Sequence, residues 1–353
     1  MITDILKNET SVWHKLKHSK KPIVLYGMGD GADKVLSAFE KYGITASAVI
    51  ASDDFVRGQS FHEFTVKKLC EIEQEFSDFT IALCFATQLP DVIDRIYEIS
   101  KTHEIVVPSV PVFGNILFDG EFVSAHADSL DCAYNLLADE KSKEVFKNII
   151  KFYYTGKINL LPSVTTDKDE AFNNILRLDS DESYVDLGAY NGDTIDEFLQ
   201  YAGSSYKRIV ALEPNAKNFE KLKSHCSEMS AVTLWQLGSY NKNTELTFNN
   251  KAGRNSAISE KGVKTQVATV DTILCGMAAS YIKADVEGAD FETIEGMQNT
   301  LRTFKPKLNF AAYHRFEDIF RLILLINKIN PEYKFYLRHH PYIPAWDTNL
   351  YCI

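Results

Sequence analysis

Short apolar runs alternate with amphipathic stretches over the first hundred residues. The runs are IVLYG (23–27), ASAVIAS (46–52), TIALCFA (80–86) and EIVVPS (104–109). Each has the length and continuous apolar character of a buried strand, and the intervening stretches carry apolar residues at helical spacing. We predict helices after the first run, around 66–75 and over about 90–101. Strands that alternate with helices at this spacing indicate a parallel α/β sheet.

The pattern changes between residues 111 and 178, where apolar positions recur at helical spacing almost throughout. The clearest stretch is LDCAYNLLADEKSKEVFKNIIKFYYTG (130–156). Its aromatic residues form a stripe, which is more typical of a helix packed on a core than of a ligand site. We predict a mostly helical connector here.

A second series of strand-like runs fills the remainder of the chain. Its members are YVDLG (184–188), RIVALE (208–213), VTLWQLG (232–238), TELTFN (244–249), KTQVATV (264–270), YIKADVEG (281–288), KLNFAAYH (307–314), YKFYLRHH (333–340) and TNLYCI (348–353). Helical patterns separate most of them, but not the last two, which we therefore expect to pair antiparallel. The predicted division is an N-terminal Rossmann-like domain (1–110), the connector (111–180) and a second α/β domain (181–353).

Composition narrows the class of protein. A chain of 353 residues suits two domains, and a net charge of −10 argues against a basic nucleic-acid-binding surface. No apolar run approaches the length of a membrane span, and the N-terminus lacks the apolar core and cleavage site of a signal peptide. Six scattered cysteines form no CxxC pair. We expect a cytoplasmic protein with reduced thiols, no membrane span and no nucleic-acid partner.

The sharpest local motif is Y-V-D-L-G-A-Y-N-G-D-T, residues 184–194. A buried strand contains Asp186 and then turns through Gly188 and Gly192 into a helix. The GxxxG spacing differs from the GxGxxG of a dinucleotide site, and the carboxylates of Asp186 and Asp193 would repel a diphosphate. Acidic groups suit a ligand that carries an amino group and a sulfonium charge instead.

The next strand ends at Glu213, about where dinucleotide folds place an acid that binds both ribose hydroxyls. Taken singly, each residue has a plainer interpretation: Gly188 as an ordinary turn and Glu213 as an acid near a helix N-terminus. Together, the strand, the DxGxxxG turn, the helix and the acid at the end of the second strand predict a site for an adenosyl ligand.

These motifs, with others in the same order, make the region from about 180 to 353 similar to the FkbM family of class I S-adenosylmethionine-dependent methyltransferases. The matching segments are V-D-L-G-A-Y-N-G-D-T, A-L-E-P-N, I-K-A-D-V-E-G-A-D-F-E, K-P-K-L-N-F-A-A-Y-H, F-Y-L-R-H-H and W-D-T-N-L-Y. The resemblance implies a seven-stranded sheet with an antiparallel last strand, and S-adenosylmethionine at the carboxyl ends of the strands.

Carried over residue by residue, the resemblance predicts a donor site. Asp186, Gly188 and Gly192 would line the methionine and ribose side, and Glu213 would hold the ribose diol. Gly238 and Ser239 would lie near the adenine, with Tyr240 stacked over it. The full set of predicted cofactor-binding residues is Asp186, Gly188, Ala189, Tyr190, Gly192, Asp193, Thr194, Glu213, Pro214, Asn215, Gly238 and Ser239.

The candidate catalytic residues end two later strands: Lys283, Asp285 and Glu287 in KADVEG, and His314 in AAYH. Methyl transfer needs a positioned acceptor and a group that removes its proton. An imidazole that is neutral at pH 7 can do this, so we predict His314 or Asp285 as the base, with Lys283 and Glu287 orienting. The alternatives are a structural Lys283–Asp285 ion pair, a helix-capping Glu287, and a divalent ion held by Asp285, Glu287 and His314; we predict no metal.

Two further features leave alternatives open. We expect His339 and His340 to alternate faces of a late strand, with solvent as their main environment; the alternative is that one of them reaches the active site. The polar loop 249–262, which includes Arg254, would either close over a ligand and contact an acidic acceptor or form an exposed hairpin tip.

The N-terminal domain has a glycine-rich turn of its own, GMGDGA, spanning Gly27–Ala32. It matches GxGxxG/A between a strand and a helix, and Asp53 and Asp54 follow the next strand. It resembles the Rossmann-like units found on sugar-modifying enzymes of surface-polysaccharide pathways, which implies a nucleotide or nucleotide-sugar ligand. Asp30 would disfavour a diphosphate, and a scaffold or homodimer interface is the alternative.

The sequence thus predicts an S-adenosylmethionine-dependent O-methyltransferase that acts on a hydroxyl of a sugar, glycan precursor or similar small metabolite. The alternative is a nucleotide-sugar-binding or nicotinamide-dependent sugar-modifying enzyme that uses the N-terminal domain, although no Tyr-x-x-x-Lys-type base is evident after it. A non-catalytic sensor of adenosyl ligands is disfavoured, because titratable side chains stand where chemistry would occur.

Overall fold

The computed structural model describes residues 2–248 and 263–353. The predicted loop 249–262, with Arg254, lies outside the described residues. The first part of the chain contains α1 (Val12–Lys17), β1 (Ile23–Tyr26), α2 (Asp30–Tyr42), β2 (Ala48–Ile50), β3 (Ser60–Phe61), β4 (Phe64–Lys67), α3 (Leu69–Glu75), β5 (Thr80–Leu83), α4 (Pro90–Ile99) and β6 (Glu104–Val106). Short 3₁₀ turns cover Ile2–Leu6 and Asp53–Phe55.

These strands form one six-stranded sheet in the order β3-β4-β2-β1-β5-β6, with only β3 antiparallel to its neighbour. The sequence did not predict β4. Residues 66 and 67 belong to it rather than to the helix expected around 66–75, which begins at Leu69. Four residues are too few for a period to stand out, and β4 forms because its backbone pairs with β2.

The middle of the chain is helical, as the periodicity predicted. It contains α5 (Gly120–Ala125), α6 (Ala127–Leu136), α7 (Glu140–Thr155), a 3₁₀ turn (Ile158–Leu160), α8 (Lys168–Ala171) and a π-helical turn (Phe172–Leu176). The Asp139 carboxylate caps α7 by accepting the Ser142 N–H, and Gly156 ends the helix in the left-handed conformation. The aromatic stripe is core: Phe146, Phe152 and Tyr153 are at most 4% exposed.

The last part of the chain contains β7 (Ser183–Leu187), α9 (Asp193–Ala202), β8 (Arg208–Leu212), α10 (Ala216–His225), β9 (Val232–Trp235), β10 (Gly238–Ser239), β11 (Thr244–Phe248), β12 (Val263–Ala268), α11 (Val270–Leu274), β13 (Tyr281–Ala284), α12 (Asp290–Glu295), α13 (Gln298–Thr303), β14 (Lys307–Ala311), α14 (Asp318–Ile329), β15 (Phe335–His339) and β16 (Thr348–Cys352).

Seven of these strands form one sheet in the order β15-β16-β14-β13-β7-β8-β9. Strand β16 is antiparallel to both of its neighbours, which confirms the predicted seven-stranded sheet with a reversed last strand. Strands β10, β11 and β12 form a separate three-stranded sheet. Because β7 lies at the centre between β13 and β8, the turns that follow these three strands meet at one edge.

The two large sheets and the helices between them share a continuous apolar core, which runs from Val24 and Ile81 through Phe146 to Ile282 and Leu350. Thr87, after β5, exchanges two backbone hydrogen bonds with Ile343, after β15. No helix within residues 2–248 and 263–353 is long and apolar enough to cross a membrane.

Candidate functional site

Asp186 lies at the centre of the large sheet and is completely buried. Its Oδ2 accepts a 2.5 Å hydrogen bond from the hydroxyl of Thr194, at the start of α9. Parallel pairing places Asp186 directly beside Lys283 of β13, and the Lys283 Nζ lies 3.8 Å from Oδ1. Burial raises the pKa of Asp186, an effect that the Lys283 charge opposes. Oδ1 has no hydrogen-bond partner among the described residues.

Close packing within the chain accounts for both glycines of the turn. Gly188 has φ +85°, and a Cβ there would collide with the carbonyl oxygen of Asp285 and lie 3.1 Å from its carbonyl carbon. Gly192 has φ +101°, and its Cβ would lie 2.6 Å from Cδ2 of His225. Between them, Ala189 is buried and donates its N–H to the Leu212 carbonyl. The turn thus holds β7, β8 and β13 together at the edge of the sheet.

Glu213 follows β8 and is 5% exposed. Its Oε2 accepts the backbone N–H of Tyr190 at 3.0 Å, and its Oε1 accepts that of Asn215 at 2.8 Å. Burial raises the pKa of Glu213, and these two hydrogen bonds oppose the effect. Two of about four carboxylate lone pairs are used, which leaves both oxygens able to accept a further donor.

The other predicted donor-site residues fall into two groups. Tyr190 is 40% exposed at the mouth of the turn, Asp193 is exposed at the first position of α9, and Asn215 caps α10. Gly238 forms β10 with Ser239, and a Cβ added at Gly238 would lie 3.9 Å from the Pro214 side chain. The Ser239 hydroxyl, however, bonds Thr293 of α12 at 2.8 Å, so it points into the protein rather than toward a ligand.

Lys283 pairs with Asp186 rather than forming the Lys283–Asp285 ion pair considered from the sequence. Burial alone would lower the pKa of Lys283, but the carboxylates of Asp186 and Asp285 outweigh that effect and raise it. Lys283 is therefore a cation between the donor turn and the catalytic candidates.

His314 is held between two carboxylates. Its Nδ1 lies 2.7 Å from Asp290 Oδ2, and its Nε2 lies 3.1 Å from Asp285 Oδ1. Burial alone would lower the pKa of His314, but Asp290 and Asp285 outweigh it and hold the pKa well above 6.5. This arrangement favours the doubly protonated ring, in which each N–H donates to one of the two carboxylates, and the base for methyl transfer stays a prediction.

Asp285 is the more exposed partner, with 36% of its side chain accessible. Burial raises its pKa less than the His314 hydrogen bond and the Lys283 charge lower it, so the pKa lies well below its ordinary value. Its Oδ2 accepts a 3.4 Å hydrogen bond from the Tyr313 hydroxyl. Glu287, at φ +54°, begins the next turn and is partly buried.

The sequence analysis missed Asp290. The residue opens α12, is 1% exposed, and its Oδ1 has no hydrogen-bond partner among the described residues. Asp318, at the start of α14, is also 1% exposed. Burial, with a further contribution from Asp290, raises the pKa of Asp318 to about 7. The available signal was that Asp290 stands in the same D-V-E-G-A-D motif as Asp285.

His339 and His340 are 0% and 1% exposed, so the expectation of a solvent environment is wrong. His340 joins the Thr166 carbonyl to the Tyr351 hydroxyl, both at 2.8 Å. Burial lowers the pKa of His339 to about 3 and also lowers that of His340. The non-helical segment at Thr165 and Thr166 pairs with this end of β15, and periodicity along one strand cannot reveal such a contact.

The N-terminal glycine turn is also closely packed. A Cβ at Gly27 (φ +125°) would lie 3.2 Å from the Phe85 ring, and one at Gly31 would collide with the Cys84 carbonyl. A Cβ at Gly29 would meet nothing within 4 Å. Asp30 pairs with Lys34 at 3.2 Å, and Asp53 with Arg95 at 3.4 Å. Internal packing thus explains two of the three glycines, and the nucleotide site stays a prediction, as does the homodimer.

No group of three or more His, Cys, Asp or Glu side chains in the described ranges is arranged to hold a metal ion. The alternative of a divalent ion also conflicts with the position of His314, because both of its ring nitrogens are occupied by carboxylates.

Comparison with known proteins identifies the C-terminal region. Residues 186–342 match the Methyltransferase FkbM domain, while a comparison with curated proteins found no match. Methyltransferase FkbM from Methylobacillus flagellatus KT has a similar fold, with a TM-score of 0.73 at 18% identity over 100% of this chain and 93% of that chain.

Two weaker likenesses cover about half of the chain. Aeropyrum pernix fibrillarin, in complex with S-adenosyl-L-methionine, gives a TM-score of 0.35 at 10% identity over 52% of this chain and 71% of that chain. An rRNA methylase from Streptococcus thermophilus gives 0.32 at 15% identity over 50% and 87%. Residues 186–342 are thus similar to the FkbM methyltransferase domain, as the order of the sequence motifs predicted.

Proposed function

We propose that this protein is an S-adenosylmethionine-dependent O-methyltransferase that acts on a hydroxyl of a sugar, glycan precursor or similar small metabolite. The observation that carries the proposal is the arrangement of Asp186, Glu213 and Asp285 at the carboxyl ends of three adjacent strands. The first two carboxylates face the glycine turn, and the third follows β13, whose end packs against Gly188.

The chemistry of the turn fits the donor. Oδ1 of Asp186 is buried without a hydrogen-bond partner among the described residues, and such an atom is costly unless a ligand satisfies it. Glu213 keeps acceptor capacity on both oxygens for a pair of ribose hydroxyls. When bound, S-adenosylmethionine supplies a methyl group on a sulfonium, whose positive charge suits these acids better than a diphosphate would.

Asp285 is the group that meets the acceptor. It is partly exposed, while Lys283 and His314 hold it in the ionised form. A neutral hydroxyl that gains a methyl group becomes an oxonium ion, which is a strong acid. A carboxylate with a low pKa is basic enough to take that proton, and before transfer it orients the hydroxyl by accepting its hydrogen bond. In this proposal Asp285 replaces His314 as the proton acceptor.

Calorimetric titration tests donor binding. We expect S-adenosylmethionine and S-adenosylhomocysteine to bind the purified protein, and Asp186→Asn and Glu213→Gln each to weaken binding about tenfold or more, because each removes a charged acceptor. Glu220→Gln is the matched control, since Glu220 is exposed on α10, where it forms an ion pair with Lys223. If the wild-type protein binds neither ligand, the proposal fails.

Transfer of a labelled methyl group to sugars, nucleotide sugars and other hydroxylated metabolites tests the acceptor class. We expect Asp285→Asn to bind the donor normally but to lose turnover by a factor on the order of 10². Labelling confined to a carboxyl or amine acceptor would contradict the proposed hydroxyl acceptor while leaving donor binding intact.

A further inference from the structure

We propose that Asp290 is a positioning residue for methyl transfer: it acts through the His314 ring to fix the carboxylate of Asp285 at the edge of the sheet. The predicted effect on turnover rests on the proposed function, whereas the predicted positioning of His314 by Asp290 does not.

The geometry allows His314 one orientation. Asp290 and His314 are each 1% exposed, and the Nδ1–Oδ2 and Nε2–Oδ1 distances are 2.7 and 3.1 Å. The Phe113 ring meets the imidazole edge-on at 5.7 Å, and the Phe113 N–H donates to the His314 carbonyl at 3.0 Å. Because both N–H groups and the main chain are engaged, the ring can neither turn nor flip without losing a buried hydrogen bond.

Charges on every side of the ring maintain this arrangement. Asp285 faces it from the end of β13, Asp290 from α12 and Asp318 from α14, with Tyr313 and Arg315 on either side in the chain. Beyond Asp285 lies Lys283, and around Tyr313 lie Glu287 and Asp347. Two bonded carboxylates favour the doubly protonated ring, and only that form can donate to Asp290 and Asp285 at the same time.

A stabilising role alone does not explain Asp290. One of its oxygens is buried without a hydrogen-bond partner in the described part of the chain, and α12 begins without a side-chain cap. Burying a carboxylate in this way is costly, and an apolar replacement of the whole buried group is often neutral or stabilising. Asp290 provides the second contact on the His314 ring. This contact directs the Nε2–H of His314 at Asp285 Oδ1, so that Asp285 Oδ2 faces Tyr313 and the acceptor.

Nitrogen-15 NMR of the histidine ring, assigned with a His314→Gln variant, tests the inference on the full-length protein. In the wild type we expect both ring nitrogens of His314 to stay protonated up to about pH 8. In Asp290→Asn, which loses one carboxylate charge, we expect a ring with a single proton at that pH. Asp290→Glu restores the charge and should restore the doubly protonated signal.

Turnover should depend on the protonation of the His314 ring. At about pH 8 we expect Asp290→Asn to lower kcat about tenfold or more while the Kd for S-adenosylmethionine changes less than about twofold. At about pH 6 the deficit should shrink, because the imidazolium re-forms. Asp271→Asn is the control for simple destabilisation: Asp271 accepts the Asn299 and Thr300 N–H groups at the start of α13, away from His314.

Two results would overturn the inference: a His314 ring that stays doubly protonated in Asp290→Asn at about pH 8, or a kcat deficit that is independent of pH and equal to that of Asp271→Asn. Both are separable from failure of the proposed function. If the wild-type protein binds no adenosyl ligand, the methyltransferase proposal is contradicted. The NMR result would still decide whether Asp290 positions His314.

Discussion

Gly188→Ala is the substitution whose cost follows most directly from the structure. Gly188 has φ +85°, and the added Cβ would collide with the carbonyl oxygen of Asp285. Gly203, which ends α9, provides a matched control: it has φ +75°, but a Cβ there meets nothing within 4 Å. The two substitutions share the strain of a left-handed alanine, and only the first adds a clash with backbone.

The magnitudes can be separated. A non-glycine residue in the left-handed region costs about 1–2 kcal/mol, and lower entropy of the unfolded chain returns about 0.4–1 kcal/mol. Gly203→Ala should therefore lower the free energy of unfolding by about 1 kcal/mol. Gly188→Ala must also move the Asp285 carbonyl, and overpacking of this kind costs a further 1–3 kcal/mol or so. We expect a total of about 3 kcal/mol.

Thermal and urea unfolding of both variants measures the difference. For a cooperative unit of about 150–250 residues, 1 kcal/mol shifts Tm by about 2–4 °C, so Gly188→Ala should lower Tm by roughly 6–12 °C and Gly203→Ala by a third of that. Because the Asp285 N–H donates to the Leu187 carbonyl, movement of the Asp285 backbone would also displace the carboxylate that we propose as the proton acceptor. Equal Tm shifts for the two variants would refute the close-approach argument.

Two further predictions concern buried charges. Arg338→Met should lower the free energy of unfolding in urea by about 3 kcal/mol. Arg338 is 2% exposed, and its removal leaves the carboxylates of Asp139 and Glu170, each 2.6 Å away, without their cationic partner. A smaller destabilisation when Asp139→Asn and Glu170→Gln are combined with Arg338→Met would support that cause. For Asp318 the pKa is raised to about 7, so the contribution of this group to stability should fall as pH rises from about 4 to 7, by at most about 1.4 kcal/mol per pH unit. Asp318→Asn should remove this contribution. If the free energies of unfolding of the wild type and of Asp318→Asn change by the same amount between about pH 4 and pH 7, the raised pKa of Asp318 is contradicted.

The fold was predictable because its signals are local. Buried parallel strands such as Tyr281–Ala284 appear as continuous apolar runs, and the two final strands appear without a helix between them. The glycine turn after β7 was predictable for the same reason, since Asp186, Gly188 and Gly192 lie within seven residues. Parallel register then places Lys283 beside Asp186, a consequence that the sequence permits but does not state.

The errors concern properties that depend on distant parts of the chain. Whether His340 is exposed depends on which segment covers the end of β15. His340 is buried and contacts the Thr166 carbonyl, which lies 174 positions earlier in the chain. The protonation of His314 depends on Asp290, 24 residues away along the chain. Composition and spacing carry no information about either environment, because both arise only when elements pack.

Residues outside the matched region 186–342 also position the site. A Cβ at Gly288 would lie 2.9 Å from the Phe113 ring, and Phe113, which also contacts His314, precedes residues 186–342. The segment before Phe113 is held in turn by Lys34 of α2, whose Nζ donates to the Val112 carbonyl at 2.7 Å. A continuous set of contacts thus runs from the helix after the N-terminal glycine turn to the imidazolium. The position of His314, and through it that of Asp285, is set by both units of the chain.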